Sequence, residues 1–273
     1  MNTWINGREA SRIDARDRGL QYGDGVFETM RIHQGRARLL DYHLERLALG
    51  CGRLKIAGPP SRTLRREIES AAARRREGVL KLIVTRGMGR RGYQRSGREH
   101  CTRILTLHPL PHGVRGDGSA PARVRLCATP LGLNPHLAGL KTLNRLESVL
   151  ARSEWKDVRI WEGLMLDVDE NIVCGTMSNL FLRRGSMLMT PVLDRCGVAG
   201  VMRRWIMETA RDFNLRATER RVRWQDLRHA EEVFMSNAVV GLRSVAVIEH
   251  GRKRLRHSSF EFAQRFRERL DLL

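Results

Sequence analysis

The chain opens on alternation. In "TWINGREA" apolar and polar positions alternate, break at Asn6-Gly7 and resume, which predicts two short strands joined by a tight turn. "DGVFETMRIHQGRARLL" repeats the arrangement around a second glycine-containing turn. The period then lengthens. "DYHLERLALGCGRLKI" places Leu44, Leu47 and Leu49 at helical spacing, and "SRTLRREIESAAARRREG" sets Leu64 and Ile68 four apart between a cap at Ser61 and a stop at Gly78. Strand-like runs return in "GVLKLIVTRG" and "TRILTLHPL", either side of a glycine-rich loop. Pro, Gly and Ser then concentrate in "HPLPHGVRGDGSAPA" (108–122), a domain boundary.

Beyond it "RVRLCATP" reads as a strand, and residues 142–155 as an amphipathic helix whose buried stripe is Leu143, Leu146, Val149 and Leu150. "GLMLDVDENIVCGTMSNLFLRRGSMLMTPV" is a series of short strands separated by Asp, Asn and Gly turns. Helical "GVMRRWIMETARDFN", strand-like "EEVFMSNAVVGLRSVAVI" and a final helix "SSFEFAQRFRERL" follow. Hairpins mixed with helices, rather than strict strand–helix alternation, predict an α+β (mixed α/β) fold. The expected division is a small N-terminal domain over 1–112, a linker over 113–120 and a larger C-terminal domain over 121–273.

Composition narrows the class. With 273 residues, 41% hydrophobic and 29% charged, and no apolar span long enough to cross a bilayer, the chain reads as a globular protein with no membrane partner. Its start lacks the apolar core of a secretory signal, and the five cysteines form no CxxC pair, which fits reduced thiols in the cytoplasm. The acidic run at 167–170 lies in a turn without a His or Cys cluster, so no metal is expected. A formal charge of +20 raises the question of nucleic acid, but the charge is spread along the chain. Its short runs, Arg74-Arg75-Arg76 and "RKRLRH", sit in no recognised binding motif and read as solvated faces. A positive field of this kind also concentrates small anionic substrates.

Within that charge one habit stands out. Of 50 basic residues only Lys55, Lys81, Lys141, Lys156 and Lys253 are lysine. Lys141, in "HLAGLKTLNRLESVLARSEW", precedes the helix of 142–155, where the positive end of the macrodipole favours a neutral amine. Lys81 is its rival, interrupting "VLKLIV" as an edge-strand or snorkelling lysine would. On the residues alone, Lys141 remains open between a surface lysine and a reactive one.

The surrounding words resemble a known family. "DRGLQYGDGVFETMR", "HLERL", "LGLNPHLAGLKTLNRLESVLAR", "GTMSNLF" and "CGVAGVMRR" occur in the order and spacing of fold-type IV pyridoxal-phosphate enzymes, from about residue 3 to at least 245. "NPHLAGLKTLNRLE" with "TRGMGRRGY" is most similar to the branch that cleaves 4-amino-4-deoxychorismate to 4-aminobenzoate and pyruvate. The resemblance implies pyridoxal 5'-phosphate as cofactor, a homodimer, and a place in folate synthesis. It makes Lys141 the lysine that carries the cofactor and acts as base. It makes Arg46, Asn237 and the backbone amides of Val198 and Ala199 ligands of the cofactor phosphate, the last two before a helix N-terminus.

Gly87, Gly89 and Gly92 match GxGxxG spacing, but a loop and another strand follow where a dinucleotide site needs a helix. The better reading is a hairpin loop whose Arg86, Arg91 and Tyr93 face a small dicarboxylate substrate. The chain departs from the family at Cys174, where a glutamate ordinarily holds the pyridine nitrogen protonated. A thiol supports that proton poorly. Its loss suits a lyase, whose aromatic product supplies driving force, better than the fold-type IV aminotransferases of D-amino or branched-chain amino acids, which are the alternative. A basic nucleic-acid-binding protein on a degenerate enzyme scaffold is the third reading.

Overall fold

The structure, a computed structural model, describes residues 2–95, 97, 99–111 and 120–272. It divides into two compact units: Met1–Arg115 with Leu140–Asn144, and Gly116–Gly139 with Arg145–Leu273. Positions 113–119 of the expected linker lie outside the described residues.

The first unit contains β1 (Asn2–Ile5), β2 (Arg8–Glu9), α1 (Arg18–Tyr22), β3 (Gly25–His33), β4 (Arg36–Ala37), α2 (Leu40–Leu54), α3 (Ser61–Ala72), β5 (Glu77–Thr85) and β6 (Thr102–His108). Its antiparallel sheet runs β2-β1-β6-β5-β3-β4. The first hairpin turns where expected, with Asn6 and Gly7 both at positive φ, the geometry an Asn-Gly turn adopts most readily. Along β3 burial alternates, so Val26, Glu28, Met30 and Ile32 line one face. Val26, Met30 and Ile32 pack there with Leu44, Leu47 and Cys51 of α2 and Leu64 and Ile68 of α3.

Four expectations fail in this unit. Leu49 is exposed, because only Leu44 and Leu47 share the buried side of α2. The second helix ends at Ala72, six residues before Gly78, which lies inside β5. Ser61 is its first helical residue, Pro60 holds the N-cap position, and no side chain caps it. After Ala72 come Ala73, which is exposed at the C-cap, and the arginine run, which has no apolar residue to bury. Lys81 lies on β5, flanked by β3 and β6, so it occupies an interior strand rather than an edge.

The second unit contains β7 (Ala122–Leu126), α4 (Leu146–Ser153), β8 (Ile160–Leu166), β9 (Ile172–Gly175), β10 (Asn179–Arg184), β11 (Met187–Pro191), α5 (Val201–Thr209), β12 (Arg216–Arg220), α6 (Trp224–His229), β13 (Glu232–Asn237), β14 (Gly241–His250), β15 (Lys253–Arg256) and α7 (Glu261–Asp271). The mixed sheet runs β12-β11-β10-β13-β14-β7-β8-β9, with β15 also on β14. Its core includes Val124, Leu164, Leu180, Val233 and Val245.

The helix expected over 142–155 is shorter, and its supposed buried stripe faces out. Leu146, Val149 and Leu150 are 76%, 59% and 60% exposed, while Ala151 packs inward with Trp155 and Met165. The sequence beyond 121 is not one uninterrupted domain. Residues 140–144 join the first unit because they pair with β3: Phe27 N–H donates to the Lys141 carbonyl at 3.0 Å and Leu143 N–H to that of Gly25 at 3.0 Å, around a Val26–Thr142 bridge.

Candidate active site

In the first unit, the strand pairing that claims residues 140–144 also fixes Lys141. Its amine lies 4.2 Å from the centroid of the Phe27 ring, a cation–π distance. The helix-dipole expectation is overturned: α4 starts only at Leu146, and Lys141 is extended rather than helix-initiating. Asn144 Nδ2 donates to the Gly23 carbonyl at 3.2 Å and closes this short insertion.

On the other face of β3, Glu28 sits in a slot whose strand neighbours are apolar. Arg46 of α2 grips it with a fork, Nε to Oε1 at 2.8 Å and Nη2 to Oε2 at 2.5 Å, and His43 Nδ1 meets Oε2 at 2.5 Å. Burial alone would push the Glu28 carboxyl up, but Arg46 and His43 outweigh it and hold it at about 2. Burial pushes His43 below its ordinary value against the pull of Glu28, so a neutral ring donates from Nδ1 and leaves Nε2 buried without a partner. Arg46, expected at a phosphate, is thus oriented by a carboxylate that the sequence reading did not single out.

In the second unit, Gly197 at φ +86° turns the chain toward α5. Gly139, two residues before Lys141 in the chain, donates its N–H to the Gly197 carbonyl at 3.1 Å and accepts the Ala199 N–H at 3.0 Å. This corrects one expected phosphate donor, since the Ala199 amide is spent on Gly139. The Val198 carbonyl accepts Asn179 Nδ2 at 2.9 Å, whereas among the described residues its N–H has no partner. No side chain caps α5, so its first-turn amides lack an intrahelical or capping acceptor. A Cβ at Gly200 would stand 2.0 Å from Asn179 Oδ1, so only glycine permits this close turn. Open amide donors, a glycine-only approach and a helix N-terminus fit a phosphate.

Cys174 is buried on β9 with Cys127, Trp155, Met165 and Cys196. Burial, reinforced by Cys196 and Glu162, pushes its thiol up to about 12, so it is neutral at physiological pH. Glu162, fully buried on β8, was missed by sequence reasoning. It accepts from Thr176 Oγ1 at 2.5 Å, Ser178 Oγ at 2.8 Å and the Met177 amide at 3.2 Å, and so organises the turn after Cys174. The signal was available as an acid inside the strand-like run "RIWEGLML". Asn237 spends its Oδ1 on the amides of Val239 and Val240, at 3.0 and 2.8 Å, shaping the turn that splits the expected single strand into β13 and β14.

The substrate candidates separate. Arg86 does not project from the loop: it is buried, bound to Asp24 at 2.7 Å and to the carbonyls of Lys55 and Leu54, so it fastens the end of α2. Arg91 and Tyr93 are exposed on the β5–β6 loop, with the Tyr93 ring 5.5 Å from Tyr22. That loop leads into β6 and not into a helix. Asp167 accepts from the Asp169 and Asn171 amides, so its carboxylate organises its own turn. Arginines such as Arg31, Arg103 and Arg123 are paired with Glu77, Glu67 and Glu249.

A family model described as amino-transferase class IV matches residues 25–248, and the chain belongs to that family. Its two mixed α/β units have the fold of the class. Particular relatives sharpen the picture. The crystal structure of 4-amino-4-deoxychorismate lyase from Pseudomonas aeruginosa is 42% identical, with a TM-score of 0.92 over 98% of this chain and 97% of that one. Aminodeoxychorismate lyase of Vibrio harveyi is 32% identical over 90% of each chain. D-alanine aminotransferase of Bacillus licheniformis is 26% identical over 91% of this chain and 89% of its own.

Proposed function

We infer that the protein is a pyridoxal-phosphate lyase that cleaves 4-amino-4-deoxychorismate to 4-aminobenzoate and pyruvate. The observation that carries this reading is Lys141, held by strand pairing with its amine over Phe27, in a chain 42% identical to the Pseudomonas aeruginosa lyase almost throughout. When bound, the cofactor supplies an electron sink for a carbon next to nitrogen. Lys141 Nζ holds the cofactor before substrate arrives, then takes the proton from the amine-bearing ring carbon and returns one as pyruvate leaves. The Val198 amide and the first turn of α5 hold the phosphate, with Arg46, aimed by Glu28, and Asn237 through its Nδ2. Arg91 and Tyr93 serve the substrate from the β5–β6 loop.

Cys174 stays neutral and would support a proton on the cofactor's ring nitrogen less well than a carboxylate. Formation of an aromatic product offsets the weaker sink, help that an aminotransferase lacks. The three exposed apolar side chains of α4 support the homodimer that the family resemblance implies. The resemblance also implies a role in folate synthesis, and five free thiols fit the cytoplasm. The runner-up is an aminotransferase, favoured by the family and by the likeness to D-alanine aminotransferase. Incubation of the purified protein with aminodeoxychorismate should release 4-aminobenzoate. No release, together with glutamate formed from D-alanine and 2-oxoglutarate, would establish the runner-up instead.

A further inference from the structure

The second unit holds a cavity that the proposed reaction does not use. It has a volume of about 230 Å³ and is lined by Arg184, Met187, Met189, Arg220, Asp226 and His229. Strand register brings the first four together. Met187 and Met189 are two apart on β11 and share a face. Arg184 of β10 pairs with Met187, and Arg220 of β12 pairs with Pro191, the next β11 residue on that face. Asp226 and His229 lie three apart on α6 and so project from one side of it. Two thioethers give the apolar lining; two guanidiniums, an imidazole and one carboxylate give the polar groups.

These polar groups are only partly spent on one another. The Arg220 guanidinium meets Asp226 at 3.2 Å and the Met189 sulfur at 3.6 Å. Asp226 also accepts the Arg223 amide at 2.8 Å, which leaves lone pairs on both of its oxygens. The side chains of Arg184 and His229 make no hydrogen bond or ion pair among the described residues. Glu231 lies within electrostatic reach of Arg184, but Arg183 already binds it at 2.7 Å. None of the six lining residues is assigned above to cofactor or substrate. Arg184 and Asn179, the residue that holds the Val198 carbonyl, are the two ends of β10, roughly 16 Å apart at the rise of a strand.

We propose that this cavity is a second binding site, separate from the phosphate loop, for a single-ring aromatic carboxylate with an amine or hydroxyl across the ring. The member that the protein's own reaction would supply is 4-aminobenzoate, a choice that rests on the lyase reading above. Drug-sized ligands fill about 300–1,000 Å³, so a cavity of about 230 Å³ suits one ring with its substituents. The Arg184 fork and a His229 ring N–H bind the carboxylate. The thioethers of Met187 and Met189 favour the edge and face of an aromatic ring. Asp226 decides the other end, since it accepts a hydrogen bond from an amine or hydroxyl and repels a second negative charge. A phosphate or a dicarboxylate would set its extra charge against Asp226.

The test is methyl NMR of the holoenzyme labelled with methyl-13C methionine, with the Met187 and Met189 signals assigned through Met187→Leu and Met189→Leu. Titration with 4-aminobenzoate should shift both signals saturably, with a Kd of about 0.1 to 1 mM, and 4-hydroxybenzoate should do the same. Arg184→Gln and His229→Ala should each weaken binding at least about tenfold while 4-aminobenzoate release stays within about twofold of wild type. No saturable shift of either signal overturns the proposal, and so does an unchanged Kd in both variants. Inorganic phosphate that binds as tightly as 4-aminobenzoate overturns the aromatic assignment. The readout needs no turnover, so the two readings fail separately. A protein that releases no 4-aminobenzoate fails as a lyase, and the cavity is then judged on 4-hydroxybenzoate: a saturable shift weakened by Arg184→Gln supports it, and no shift removes it.

Discussion

Glu28 shows what a single residue costs and does. An ion pair this deeply buried adds little to stability over apolar packing, because desolvation consumes most of the Coulomb gain, so its value lies in aiming Arg46. Its carboxyl, held at about 2 against an ordinary 4.5, contributes stability that is present above pH 4.5 and lost as pH falls from there toward 2. The contribution is about 3 kcal/mol by linkage. Glu28→Gln should therefore be destabilised by about 3 kcal/mol at pH 7 and show a flatter loss of stability between pH 4.5 and 2. Parallel denaturation curves for variant and wild type across that window would contradict it. Cys174→Glu should gain transamination of D-alanine at least about tenfold if a carboxylate restores the ring proton. Its apoprotein should melt below wild type, since a buried carboxylate without a partner is costly, and cofactor should restore the difference. No gain in glutamate formation would sink this account of Cys174. Lys141 stood out because arginine fills nearly every other cationic position, but its role was assigned only through the motifs that resemble the family. Glu28 and His43 were not, since an acid in an alternating strand and a histidine on a helix look alike whether solvated or locked together.

At the scale of elements, hairpins were the most readable feature because Asn6-Gly7 encodes its own turn. Helix limits were less so. Periodicity marked Leu146, Val149 and Leu150 as a stripe, but a stripe specifies that a surface is covered and not which molecule covers it. Their exposure makes α4 the element through which the proposed homodimer would form. Replacing all three with serine should convert a dimer to monomer in sedimentation velocity while leaving the helix content by circular dichroism unchanged. A triple variant that sediments as wild type would exclude α4 from the interface. The segment after Lys141 was also misread as helix, since its leucines satisfy helical spacing while its backbone hydrogen bonds go to β3. Local period cannot report a partner strand more than 110 residues away in the chain.

For the whole molecule, the mixed α/β class followed from element order, and the charge of +20 survived as a property without a motif. Arginines such as Arg31, Arg103 and Arg123 are locally paired, yet 50 basic residues against 30 acidic ones leave a net field that should draw in a dicarboxylate substrate. The kcat/KM for aminodeoxychorismate should fall about threefold to tenfold between roughly 20 and 300 mM salt, while kcat changes little. A salt-independent kcat/KM would mean that the field does not steer encounter.

The excursion of residues 140–144 bears on how this gene can be cut. A fragment ending at the chain's midpoint would retain β3 but lack the lysine that pairs along it, and the complementary fragment would carry that lysine with nothing to hold it straight. Neither half inherits the Lys141 amine in its native setting, so if that amine is the proposed base, shuffling these halves among homologues should yield inert proteins unless the five-residue stitch travels with the strand it matches.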